Sequence, residues 1–258
     1  EIFDPSFDFL MTTRLKVGLD EFDSDLFHAG KFYAFMSQFS SEDKEIMEAN
    51  RYRYALALSN IRSTKDIFYV FGDTNTGKGV DMDILTSFFE DEAISALKLK
   101  RLASRFGFAS IYNTSLAFVS DEQNNLWDDD VQQTLKIISS RQLVECERKY
   151  EDTFKFVPFC LPILYSNRIP SISGSDDEGH AMSSRIFAIP TCKTVTTINP
   201  YLLKQILPEK AQIAQWALRF AGKIAREEKT IDHVIDVSCT AEEILRPEDL
   251  FRKWLNEC

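Results

Sequence analysis

The chain has 258 residues, 44% of them hydrophobic and 27% charged, which suits one large core with a smaller appendage in an ordinary globular protein. Its formal charge is −10 and its pI about 4.9, so the surface as a whole repels nucleic acid and any contact with a strand must come from a few local basic groups. No apolar run approaches the roughly 20 residues that cross a bilayer and no secretory leader opens this sequence, so a membrane partner is not expected.

Five cysteines (Cys146, Cys160, Cys192, Cys239, Cys258) form no CxxC pair, and His28, His180 and His233 are far apart. This argues against zinc and against a disulfide framework, and for a reducing intracellular compartment such as the cytoplasm of a host cell. The first residue is Glu1 rather than Met, as expected of a piece of something longer.

Residues 1–60 read as mainly helical, with charged and apolar residues at helical spacing over 41–58. Ile67–Phe71, IFYVF, is a short β-branched and aromatic run of strand type. A glycine-containing loop follows at once, and residues 80–89 return to helical spacing. Residues 97–106, LKLKRLASRF, read as a basic helix. Residues 116–119, LAFV, form a second apolar strand that runs into Ser120, Asp121 and Glu122. Residues 131–138 read as a helix. Residues 143–148 and 153–157 read as two strands of a hairpin around Tyr150, Glu151 and Asp152. Leu161–Ser166, LPILYS, is a third apolar strand, ending on Asn167. Residues 171–179 are polar and loop-like, 186–189 read as another strand, 200–227 as helix, and 247–257 as a terminal helix. Apolar strands separated by helical stretches predict an α/β fold with a central parallel sheet, flanked by a helical segment at each end. The expected division is 1–60, 61–195 and 196–258, the first a candidate oligomerising collar.

Gly72, Asp73, Thr74, Asn75, Thr76, Gly77, Lys78 and Gly79 form a phosphate-binding loop. Its glycines let backbone N–H groups turn toward phosphate oxygens, the following helix offers its positive end, and Lys78 reaches the outer phosphates. Gly79 stands where Ser or Thr normally gives a hydroxyl to Mg²⁺. The bland alternative is a glycine-rich turn with a chance lysine, which the flanking strand and helix disfavour. Downstream, a strand ending in two acids can put Asp121 near Mg²⁺ and let Glu122 polarise a water; by itself it is equally a surface turn. Asn167 at a strand tip can orient that water or touch the γ-phosphate, although an isolated Asn is simply a turn former. Arg185 can stabilise charge on a transferring phosphoryl group from a neighbouring subunit, with Arg168 as its competitor. Arg148, Lys149 and Lys155 can neutralise phosphates while Tyr150 stacks on a base; a solvated hairpin is the plain reading.

In this order the motifs resemble the superfamily 3 helicases, in the viral, phage and plasmid primase-helicase branch. Residues 101–122 (RLASRFGFASIYNTSLAFVSDE) are similar to the stretch leading into that family's Walker B acids. Residues 134–158 look like its B′ motif, with Lys136 and Lys149 at matching positions. Residues 161–170 (LPILYSNRIP) look like its motif C, residues 176–190 look like the segment with its arginine finger, and residues 247–255 are similar to a helix beyond its core. The resemblance runs from 67 to 190 and weakly at the tail. It departs at Gly79, at Ser139-Ser140-Arg141 where Gly-Gly-Asp is usual, and at Ser184-Arg185 where paired arginines are usual.

The resemblance implies an AAA+-like P-loop ATPase that uses ATP and Mg²⁺, assembles as a hexameric ring and translocates on single-stranded DNA. It also implies a linked or separate primase. The catalytic set would be Glu122, Asn167 and Arg185, with Asp121 on the metal. The competing expectation is an oligomeric DNA-binding or loader module that binds nucleotide with little or no hydrolysis. A P-loop phosphotransferase is a weaker third, since no acceptor pocket is marked.

Overall fold

The computed structural model describes residues 15–18, 22–59, 61–98, 101, 104, 107–120, 129–147, 152–167, 182–191, 193–226 and 231. Three helices open it, α1 (Ser24–Ala29), α2 (Lys31–Phe39) and α3 (Lys44–Leu58). Asp23 and Asp43 cap α1 and α3, each carboxylate accepting two backbone N–H groups of the first turn. There follow β1 (Ile67–Phe71), α4 (Lys78–Thr86), β2 (Ile94–Leu97), β3 (Leu116–Ser120) and α5 (Asp129–Ser139). Strands β4 (Val144–Cys146) and β5 (Phe154–Phe156) form a separate antiparallel pair. Then come β6 (Leu161–Ser166), β7 (Ile186–Pro190), α6 (Leu202–Ile206) and α7 (Lys210–Ala225).

The central sheet has five strands in the order β2-β3-β6-β1-β7, all parallel. Both faces must therefore be covered, and the strands alternate strictly between two cores. Phe68, Val70, Phe118, Ile163, Tyr165, Phe187 and Ile189 face a large core shared with α2, α3, α4 and α7. Ile67, Tyr69, Val119, Leu164 and Ala188 face a smaller one closed by Val131, Leu135 and Ile138 of α5. After β1 the chain crosses to the far edge at β2, returns through β3 and β6, and passes β1 again to reach β7. The reversal of strand order beside β1 opens a crevice at the carboxyl ends of the strands, where the loop after β1 lies.

The parallel α/β sheet expected from the sequence is present. One element differs. Residues 94–97 form the edge strand β2, paired Ile94↔Leu116 to Leu97↔Val119, so the basic segment expected to be helical from 97 begins as strand. Four residues beside an existing strand edge need only complete the ladder, and the lysines that follow mask this with helical spacing. Helices before and after the sheet share one core. Arg51 donates to the Trp216 carbonyl at 3.0 Å, and Trp216 packs against Phe27, Phe32 and Tyr54. No helix among the described residues is long and apolar enough to cross a membrane.

Candidate functional site

The loop of residues 72–79 leaves the carboxyl end of β1 and turns tightly into α4. Gly72, at φ +154°, lies under Thr191: a Cβ there would sit 2.0 Å from the Thr191 carbonyl oxygen. Gly77, at φ +98°, is the N-cap of α4 and lies in the left-handed region. The segment leaving β7 straps the loop from behind. Thr191 N–H donates to the Phe71 carbonyl at 2.7 Å. The Thr191 hydroxyl is 3.0 Å from that same oxygen and 2.9 Å from the Thr76 hydroxyl. Val195 N–H donates to the Asn75 carbonyl at 2.8 Å. The Lys78 ammonium is held over the loop, donating to the carbonyls of Gly72 (2.8 Å) and Asp73 (2.7 Å) and to the Thr76 hydroxyl (3.2 Å).

This loop floors a cavity of about 540 Å³ whose lining also includes Asn167. One wall is apolar, made by Phe35 and Phe39 of α2 with Val195, Ile198 and Leu202; the Gln38 and Asn199 amides interrupt it. Phe35 and Phe39 stack on one another, ring centroids 5.5 Å apart. A cation and backbone loop at one end, with a flat apolar slot and a few amides beside it, suits an anionic group joined to an aromatic heterocycle. Gly79 faces open space, with nothing within 4 Å of an added Cβ, so neither packing nor backbone geometry requires glycine there. Asp121, the sequence's candidate Mg²⁺ ligand, lies outside the described residues.

Behind the loop lies a fully buried polar cluster. Arg53 of α3 grips Asp81 of α4 with both Nη atoms, 2.7 Å to Oδ2 and 3.0 Å to Oδ1. Tyr54 donates to Oδ1 at 2.9 Å and Tyr165 of β6 to Oδ2 at 2.8 Å. Arg53 also donates to the Tyr165 hydroxyl (2.9 Å) and to Asn50 (2.8 Å), and Asn50 donates to Ser40 (3.1 Å) and to the Ile46 carbonyl (3.1 Å). Burial, then the Asp81 charge, push both tyrosine hydroxyls well above the usual range. Burial alone would pull the Arg53 guanidinium down, but the Asp81 carboxylate holds it above its ordinary value. Sequence reasoning missed this cluster. Its signal was an Arg immediately before the apolar run YALAL of α3 and an Asp on the inward side of the helix after the loop.

Of the residues expected from the sequence, 74–79 and Asn167 line one cavity, while Gly72 and Asp73 do not line it and give their carbonyls to Lys78 behind it. β3 ends at Ser120, in register with Tyr165, hence at the same sheet edge; Asp121 and Glu122 lie outside the described residues. Arg185 sits at the opposite edge. Its carbonyl accepts from Ile67 N–H, at the start of β1, and its side chain donates to Ser140 at 3.3 Å. It cannot reach the loop of its own chain. β4 and β5 pair antiparallel as expected, with exposed Lys155 directly opposite Glu145. Arg148, Lys149 and Tyr150, like Arg168 and residues 247–257, lie outside the described residues.

Residues 70–185, just under half of the chain, match a family model described as a family of unknown function (DUF5906). No curated protein matches. An apo structure of the NrS-1 C-terminal region is similar at a TM-score of 0.60 and 20% identity, covering 79% of this chain and 47% of that one. A second apo structure of the same region has a TM-score of 0.59 and 17% identity, covering 84% and 54%. A JCV helicase bound to a small molecule reaches 0.43 at 14% identity, covering 86% and 60%, too low to speak for a common fold. The chain spans about half the length of the NrS-1 structures it matches. The parallel α/β fold with its loop at the strand ends is therefore similar to that of the NrS-1 C-terminal region.

Proposed function

We propose that the chain is the ATPase core of a superfamily 3-type DNA helicase, acting on single-stranded DNA in the replication of a phage, virus or mobile element. The observation that carries this reading is the cavity itself, where Lys78 and the phosphate loop meet Asn167 under an apolar slot of base size. Lys78 and the loop amides hold the phosphates, the Phe35 and Phe39 wall takes the base, and Asn167 orients the attacking water, with Glu122 as general base. Mg²⁺, held by Asp121 and water beside Gly79, would neutralise phosphate charge. The far-edge position of Arg185 supports a role across a subunit boundary, in a homo-oligomeric ring that the resemblance makes a hexamer. The hairpin with Arg148, Lys149, Tyr150 and Lys155 would touch DNA, and a primase would be linked or separate. We keep the division into residues 1–60, 61–195 and 196–258. An oligomerising role for 1–60 would use outer surfaces such as Leu26, 60% exposed, because the inner ones belong to the common core.

The test is ATP hydrolysis with and without single-stranded DNA, beside a mass measurement of assembly. DNA-stimulated turnover is expected, and turnover no higher than that of Lys78→Ala sinks the reading. Gly79 favours a second one, a nucleotide-dependent assembly or loader module. Nucleotide-driven oligomerisation with negligible hydrolysis would select it.

A further inference from the structure

None of Arg53, Tyr54, Asp81 or Tyr165 lines the cavity, yet two of them stand close in the chain to groups that do. Asp81 is three residues beyond Lys78, on the same helix. Tyr165 is two residues before Asn167, on β6. It pairs with Val70 of β1 on one side and Ser120 of β3 on the other, between the strand that feeds the loop and the strand that leads to Asp121. Its hydroxyl is a joint, accepting from Arg53 and donating to Asp81.

We infer that the Arg53–Asp81–Tyr165 cluster is a positioning device, which fixes the tip of β6, and with it Asn167, at one height relative to the first turn of α4 and Lys78. Apolar contacts in its place would pack as well and often more stably, but they tolerate sliding by a fraction of an ångström. A two-pronged guanidinium grip with a tyrosine hydroxyl on each carboxylate oxygen is directional and does not. The backbone is a weak substitute at this level: the Gly72 N–H to Ser166 carbonyl bond, just past the last paired residues, is 3.3 Å long. Tyr54 and Tyr165 make equivalent bonds to the two oxygens of Asp81, but only Tyr165 belongs to the sheet. The inference depends on the proposed ATPase reading for its effect on turnover, and not for its effect on the position of the strand.

The experiment compares Tyr165→Phe with Tyr54→Phe in the full chain. Each loses one hydroxyl from the same carboxylate, and the aromatic ring at position 165, which stacks on Phe118, is retained. Amide hydrogen exchange without nucleotide is expected to quicken about fivefold, the worth of one net hydrogen bond, at 161–167 and 72–83 in Tyr165→Phe. Residues 129–139 should stay unchanged, and Tyr54→Phe should leave 161–167 unchanged. Arg53→Lys, which keeps the charge and loses the grip, should repeat the Tyr165→Phe pattern. Uniform quickening, no quickening, or the same response from both tyrosine variants overturns the inference. In turnover, Tyr165→Phe should lower kcat about fivefold with KM within about twofold, and should have no further effect in an Asn167→Ala background. Equal losses in both backgrounds also overturn it. Wild-type turnover no higher than that of Lys78→Ala removes the ATPase reading alone, and exchange then decides the positioning role.

Discussion

The two faces of the sheet are closed by different means. On one, α5 lays Val131, Leu135 and Ile138 over small and aliphatic strand residues such as Ala117, Val119 and Leu164. On the other, an aromatic core surrounds a buried charge pair with its attendant tyrosines and Asn50. Hydrophobic burial drives both, because it is non-directional and scales with area. The second face adds a charge-assisted cluster around Asp81, and the cavity opens on that side, between α2, α4 and the strand ends. The difference teaches that apolar packing suffices to keep a helix on a sheet, whereas a site that must hold two groups at a set separation has charge and hydroxyls behind it.

The comparison breaks most sharply at Asp81. Asp81→Ala strands a buried guanidinium and should cost about 3–5 kcal/mol of stability, with most of that loss recovered when Arg53→Met is added; denaturant unfolding of the single and double variants checks both. On the plain face Leu135→Ala should cost about 3 kcal/mol by leaving a cavity, while nucleotide affinity measured on the folded fraction stays at the wild-type value. Gly72→Ala forces a Cβ against the Thr191 carbonyl and should cost about 1–3 kcal/mol, read from thermal melts, with weakened nucleotide binding.

Alkaline pH acts on both faces. Burial pushes Tyr69 and Cys160 up to about 12 and raises Tyr54 and Tyr165 well above the usual tyrosine range. In the unfolded chain these groups ionise near about 9 to 10. Their folded values are raised, so their contribution is fully present below about pH 9 and is lost as pH climbs toward 12. By pH 11 each tyrosine should take roughly 1 kcal/mol and Cys160, which ionises lowest when unfolded, roughly 3 kcal/mol, seen as a falling denaturant midpoint between pH 8 and pH 11. The smallest effect belongs to Gly79→Ser, which fits the open space and should gain about 0.5 kcal/mol of helix stability. Under the ATPase reading it should also lower the Mg²⁺ concentration needed for half-maximal turnover.

The loop was legible because strand, glycine turn and helix are contiguous and each announces itself within a few residues. Strands β3, β6 and β7 were legible for the same reason, as short apolar runs bounded by polar residues. β2 was not, since Ile94–Leu97 becomes a strand only through the β3 edge beside it. The cluster behind the loop was beyond local reading: Arg53, Asp81 and Tyr165 are brought together from three elements by the fold. Thr191 was missed because its partners, Phe71 and Thr76, lie more than a hundred positions upstream. The apolar slot of Phe35 and Phe39 was hidden in a helix whose aromatic spacing reads as ordinary core.

Strand β7 carries Arg185 immediately before its first residue and Thr191 immediately after its last. An extended strand is stiff along its length, and these two positions are about 20 Å apart by strand rise. Thr191 is bonded to the floor of the phosphate loop, and Arg185 stands at the far rim of the sheet. One short strand, paired along its whole length to β1, therefore sets the distance between the strap behind the loop and the backbone of Arg185.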